Sequence, residues 1–131
     1  MLKKTIAYTD YNGVERTEDF YFNITKAEAI EMEMTTTGGM SAMIEKIIST
    51  QDTPALFKLF KDMILKAYGE KSPDGKTFMK SEEISNAFAR TEAYSELLTE
   101  LVSDADKASE FINAIIPKVE KKTSQVAPAN K

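Results

Sequence analysis

Cysteine, histidine and tryptophan are all missing from this 131-residue chain, and glycine and proline are scarce, at five and four. Without cysteine there is no disulfide, no thiol nucleophile and no zinc–thiolate site, a composition that suits a reducing cytoplasm. Without histidine the chain also lacks the commonest general base at neutral pH and the commonest metal ligand, and every serine–histidine pairing is excluded. Positive charge is in deficit: 17 Lys and Arg against 21 Asp and Glu give a net charge of −4. No segment is both strongly basic and aromatic, so the electrostatic footprint for DNA or RNA is absent. No apolar run nears the roughly 18–20 residues that span a bilayer, and "MLKKTIAYTD" has no long apolar middle of the signal-peptide kind. The expectation is one soluble domain that stays where it is made, with no nucleic-acid or membrane partner, no cofactor and no metal.

What the chain does have is pattern. In the first 23 residues Leu2, Ile6, Tyr8, Val14, Phe20 and Phe22 all fall at even positions. Two regular strands place such residues on one face only when the numbers of paired residues sum to an even value. A two-residue Asn12-Gly13 turn would make that sum odd. The spacing therefore predicts a β-hairpin with a three-residue loop, Tyr11-Asn12-Gly13, closed by Gly13 in the left-handed region. Lys4, Arg16 and Glu18 interrupt the face in mid-strand. A hairpin alone is marginal in water, so a helix is expected over its apolar end.

Helical signals fill most of the remainder. "TKAE" sets Thr25 and Glu28 as a capping box for a helix to about Met34. "TTTGG" then interrupts it as a flexible joint; a phosphate loop would need a lysine, a different spacing and a preceding strand. Met40, Met43, Ile44, Ile47 and Ile48 form the stripe of a second helix to about Thr50. Thr53 and Pro54 open a third, with Leu56, Phe60, Met63, Ile64 and Ala67 on one face, Phe57, Leu59 and Tyr68 widening it, and Gly69 closing it. "SPDGK" reads as a turn, without the alternating acids of a calcium loop. "TFM" reads as a short extended piece, and Ser81 caps a helix to about Ala89. In the next helix Tyr94, Leu97, Leu98, Leu101 and Val102 mark one buried face. Ser103 caps the last, which carries Ala108, Phe111, Ile112, Ile115 and Ile116 and ends at Pro117. The fold class expected is α+β: the hairpin (1–23) packed on a bundle of five to six helices (24–117) in a single domain. A disordered tail follows over 118–131, where four lysines against one glutamate give a net charge of +3.

Three constellations bear on function. In "TEAYSELLTEL" the acids Glu92, Glu96 and Glu100, continued by Asp104, form a single i, i+4 row. Paired-carboxylate catalysis needs two acids held across a cleft in unlike environments, whereas neighbours on one helix share the same solvent. The row is a solvated face or a ridge that docks a basic partner. The wide third helix, through Phe57, Leu59, Phe60 and Tyr68, is the second candidate docking surface. Such a surface must be hidden when no partner covers it, which predicts self-association through this helix or the last two. Four of the seven methionines lie between Met32 and Met43. Met40 and Met43 read as core, while Met32 and Met34 fit either core filler or an adaptable partner surface. An enzyme would need acids from different elements converging, Glu83 or Asp62 with Tyr94, and no spacing supports that pairing. No catalytic residue is assigned.

Several phrases, in order over residues 8–117, carry a resemblance: "YTDYNGVERTEDFYFNITKAE", "GEKSPDGKTFMKSEEISNAFARTEAYSELLTEL" and "DADKASEFINAIIP". The chain resembles the tail assembly chaperones of long-tailed phages and related prophages of Gram-positive bacteria. None of these phrases is a catalytic motif. The resemblance implies a non-enzymatic protein that binds the tape-measure protein, keeps its long helical chain soluble and helps recruit the tail-tube protein. It further implies action in the cytoplasm of the infected bacterial host and absence from the mature virion. The alternative class is a structural tail or connector component.

Overall fold

The even-numbered face of the hairpin is the floor on which the helices sit. In the computed structural model, which describes residues 1–35, 38, 39, 42, 45, 49 and 53–117, β1 (Leu2–Thr9) and β2 (Glu15–Phe22) pair antiparallel, with Leu2 opposite Phe22 and Thr9 opposite Glu15. The register is even, as the parity of the apolar positions requires. Gly13 sits at φ +80° and donates its N–H to the Asp10 carbonyl at 2.9 Å, closing the three-residue bulged loop. The polar residues that interrupt the face are all paired. Lys4 Nζ reaches Glu100 at 2.7 Å, Glu18 accepts from the Tyr8 hydroxyl at 2.6 Å, and Arg16 Nε donates to Asp10 at 2.6 Å.

Two short strands extend the hairpin to a four-stranded antiparallel sheet in the order β1-β2-β3-β4: β3 (Tyr68–Lys71) and β4 (Phe78–Met79). This corrects the expected end of the third predicted helix, which stops at Ala67 instead of Gly69. Gly69 is needed for space. A Cβ there would lie 2.7 Å from the Phe78 ring and 2.9 Å from the Met79 carbonyl oxygen, so the close approach of β4 admits only glycine without a shift.

Five helices have described bounds: α1 (Lys26–Thr35), α2 (Thr53–Ala67), α3 (Glu82–Ala89), α4 (Glu92–Ser103) and α5 (Ala105–Ile115). The caps explain where they start. Ser81 accepts from Ile84 N–H at 3.1 Å, and Thr91 accepts from Tyr94 N–H at 3.2 Å. The last helix is capped by Asp104, whose carboxylate accepts from Asp106 and Lys107 N–H at 3.0 and 3.2 Å, and not by Ser103 as expected. A carboxylate there also meets the positive end of the helix dipole. The expected stripe Met40, Met43, Ile44, Ile47 and Ile48 lies outside the described residues, as does the expected disordered tail. Ala42, Glu45 and Ser49 are helical and exposed.

Among the described residues the core joins the floor to α2, α3, α4 and α5, while α1 contributes only the half-buried Ala29 and Met32. Ile6 and Phe22 meet Met63, Ile64, Leu97, Leu101, Phe111 and Ile115. Phe88 is a hub of rings: its centroid is 4.2 Å from a stacked Tyr68 and 5.3, 5.7 and 5.8 Å from Phe20, Phe22 and Tyr94. The linker after β2 receives the helix ends. Asn23 N–H donates to the Ala67 carbonyl at 2.8 Å and Ile24 N–H to the Ile115 carbonyl at 3.0 Å, satisfying acceptors that α2 and α5 cannot use internally.

Glu28 locks that linker. Its carboxylate accepts from Thr25 N–H at 2.9 Å while Thr25 Oγ1 accepts from Glu28 N–H at 3.1 Å, the capping box read from "TKAE". The same carboxylate takes Lys80 Nζ at 2.7 Å, and Lys80 also donates to the Asn23 carbonyl at 2.6 Å. Partial burial alone would raise the Glu28 pKa, but the Lys80 ammonium and the Thr25 N–H outweigh it and hold the group below its ordinary 4.5. A carboxylate depressed in the folded state stabilises fully above its unfolded pKa, and that contribution disappears as pH falls through the folded value. Glu28→Gln should therefore flatten the loss of stability between about pH 5 and pH 3, measured by urea unfolding at several pH values. An unchanged slope would mean that Lys80 is not held by the charge.

Candidate functional site

The acidic row on α4 lies along β1. Three of its four members are engaged inside the chain: Glu92 Oε2 accepts from the Tyr11 hydroxyl at 3.0 Å, Glu100 Oε2 lies 2.7 Å from Lys4 Nζ and 3.9 Å from Lys107 Nζ, and Asp104 caps α5. Hydrogen bonding to Glu92 raises the Tyr11 pKa above its ordinary 10.0. Glu96 is exposed. The row therefore seats the hairpin on the helix, and Glu96 is the member that faces outward without an ion pair among the described residues.

The four apolar candidates separate in the same way. Leu59, Phe60 and Tyr68 are buried in the core, at 7, 9 and 8% exposure, because α2 is covered by α4 on one side and runs straight into the sheet at Tyr68. Their atoms already have partners in the folded chain. Phe57, in the first turns of α2, remains 46% exposed. Met32 packs partly against the core while Met34 stands in solvent.

What sequence reasoning did not place is an apolar groove where α2, α4 and α5 meet. Its walls are Leu56 and Phe60 of α2, Leu101 and Val102 at the end of α4, and Ala108 and Ile112 of α5, around a volume of about 500 Å³. Ser109, Asn113 and Glu45 give it a polar rim. The groove lies where α4 and α5 meet at the one-residue Asp104 joint, and among the described residues Leu56 at the edge of α2 is only partly buried there. A signal existed in the sequence: Val102 extends the Tyr94-to-Leu101 stripe by one position beyond what a single neighbour can bury, and it ends 47% exposed.

Tyr94, the phenol of the carboxylate–tyrosine alternative, points inward. Its hydroxyl is buried and has no hydrogen-bond partner among the described residues, and burial, followed by the Asp62 carboxylate, pushes its pKa above the ordinary 10.0. It makes no hydrogen bond to Asp62 or Glu83. An unmatched buried hydroxyl is a stability cost of about 1 kcal/mol or more. Tyr94→Phe should raise the unfolding midpoint by roughly 2–5 °C in a calorimetric scan; a lowered midpoint would show that the hydroxyl is satisfied in solution.

No curated protein and no solved structure matches the chain. The sequence does match a family described as phage tail assembly chaperones, and the match runs over residues 1–131, taking in the hairpin, the capped helices and the groove. The chain belongs to the phage tail assembly chaperone family.

Proposed function

We propose that the protein acts by reversible binding: it holds helical segments of the tape-measure protein, keeps that chain soluble, and helps bring tail-tube subunits to it in the cytoplasm of the infected host, without entering the finished virion. The observation that carries this reading is the groove. Its volume falls in the range of about 300–1,000 Å³ common to concave binding sites. An apolar floor with a polar rim, walled by three helices, suits the apolar face of a fourth helix presented at i, i+3, i+4 and i+7. A tape-measure chain rich in such faces would otherwise bury them against its own copies. When no client is bound, the same groove is available to a second copy of the protein, so the resting form is a homo-oligomer.

Co-expression with the tape-measure protein of the same tail operon, followed by sedimentation, tests the holding role. Movement of the tape-measure protein from pellet to supernatant is the expected result. A tape-measure protein that pellets equally with and without its partner would overturn the reading, and detection of the protein in purified virions by mass spectrometry would favour a structural tail component.

A further inference from the structure

A second surface lies on the other side of α4, and it is built from backbone. β1 is the end strand of the sheet. Asp10 N–H bonds to the Val14 carbonyl at 2.9 Å, so hydrogen-bonded pairs alternate from there. Leu2, Lys4, Ile6 and Tyr8 thus spend their N–H and C=O groups on β2, while those of Lys3, Thr5, Ala7 and Thr9 point away from the sheet. Among the described residues no strand pairs with them. The usual protections are thin: β1 has no proline and no glycine, and of the four outward residues only Lys3 is charged.

Beside this edge run two clefts of about 250 and 350 Å³ that meet at Glu100. The larger is bounded by Thr5, Ile6 and Ala7 on the strand and by Glu96, Thr99, Glu100 and Ser103 on α4, a polar stripe at helical spacing; the smaller adds Lys4 of the strand and Lys107 and Glu110 of α5, with both lysines held by Glu100, which leaves Glu96 and Glu110 as the acids open to a partner. Glu96 has no ion pair among the described residues, and Glu110 is exposed. We infer that the β1 edge is a strand-addition site for an extended segment of a partner protein carrying lysine or arginine at alternate positions. The free backbone groups supply the pairing, as in other strand-addition complexes. Alternation puts every second side chain against the helices beside the edge, where Glu96 of α4 and Glu110 of α5 select positive charge. A second copy fits poorly, because twofold pairing of β1 with itself would bring both sets of α4 acids to one groove. The eight residues of β1 set the length of segment that pairs fully.

This inference stands apart from the helix-binding groove and does not need the tape-measure reading. The probe is an eight-residue peptide alternating threonine and lysine, with a threonine–glutamate peptide as control. Backbone amide exchange is followed by NMR on the full chain. The expected result is slowed exchange at Lys3, Thr5, Ala7 and Thr9 on adding the lysine peptide, absent with the glutamate peptide. Glu96→Lys should weaken binding roughly fivefold. Ala7→Pro removes one outward N–H while leaving the β2 pairing in place, and should abolish the protection. Slow exchange at these four amides before any peptide is added would overturn the proposal: independent of concentration it would mean the edge is covered within the chain, and dependent on concentration it would mean a second copy sits there. Lysine-peptide shifts confined to Leu56, Val102 and Ile112, or no shifts at millimolar peptide, would overturn it equally.

Discussion

Phe88→Ala should lower the unfolding free energy by about 3–5 kcal/mol, a large share of the roughly 5–15 kcal/mol typical of a domain. Phe88 is the sole fully buried residue of α3, which at eight residues is too short to persist by itself. Its ring touches the hairpin through Phe20 and Phe22, β3 through Tyr68 and α4 through Tyr94, so one truncation loosens three elements. Aromatic pairs in these tilted and stacked geometries add about 0.5–1.5 kcal/mol each beyond burial. Phe88→Leu, which keeps most of the apolar volume, should lose less than half as much. Urea unfolding of both variants checks the account. A loss below about 1 kcal/mol for alanine would show that the cluster closes over the gap and that α3 is not an anchor.

Val102→Asp should abolish client binding while leaving the fold in place. The side chain is about half exposed and its removal opens no cavity, so the change in stability is expected to stay under about 1 kcal/mol, mainly from a negative charge near the C-terminal end of α4. At the groove the balance is different. A client helix laid over Leu56, Leu101 and Ile112 would bury the new carboxylate without a partner, a penalty of several kcal/mol that corresponds to a hundredfold or greater loss of affinity. Titration of the variant with a soluble tape-measure fragment, alongside its thermal unfolding, separates the two effects. Unchanged affinity with an unchanged midpoint would place the client elsewhere.

Local chemistry was legible in the sequence wherever one short segment determines it. The parity of Leu2, Ile6, Tyr8, Phe20 and Phe22 dictates both the hairpin register and its three-residue loop, and Thr25 with Glu28 dictates the start of α1. What escaped depends on contacts distant in sequence. Tyr68–Lys71 follows a helix without a break in pattern, and becomes a strand because Phe22 and Tyr21 offer it an edge and Phe78 closes over Gly69. The acidic row was visible as a row. Its use was not, since Tyr11 and Lys4 lie 81 and 96 residues before the glutamates they meet. Ser103 and Asp104 are both good caps, and local preference does not choose between them; the carboxylate, with two N–H groups in reach, takes the position. The groove was hidden for a related reason, because it is the space left between three helices and belongs to no single stripe.

The most direct test of the helix-holding account is a photo-crosslinking amino acid placed at Ser109, on the polar rim of the groove, with Glu83 on α3 as the exposed control, during co-expression with the tape-measure protein. Crosslinks from Ser109 and not from Glu83, falling on tape-measure residues spaced at i, i+3, i+4 and i+7, are the predicted result. Crosslinks of equal yield from both positions, or tape-measure sites without helical spacing, would contradict it.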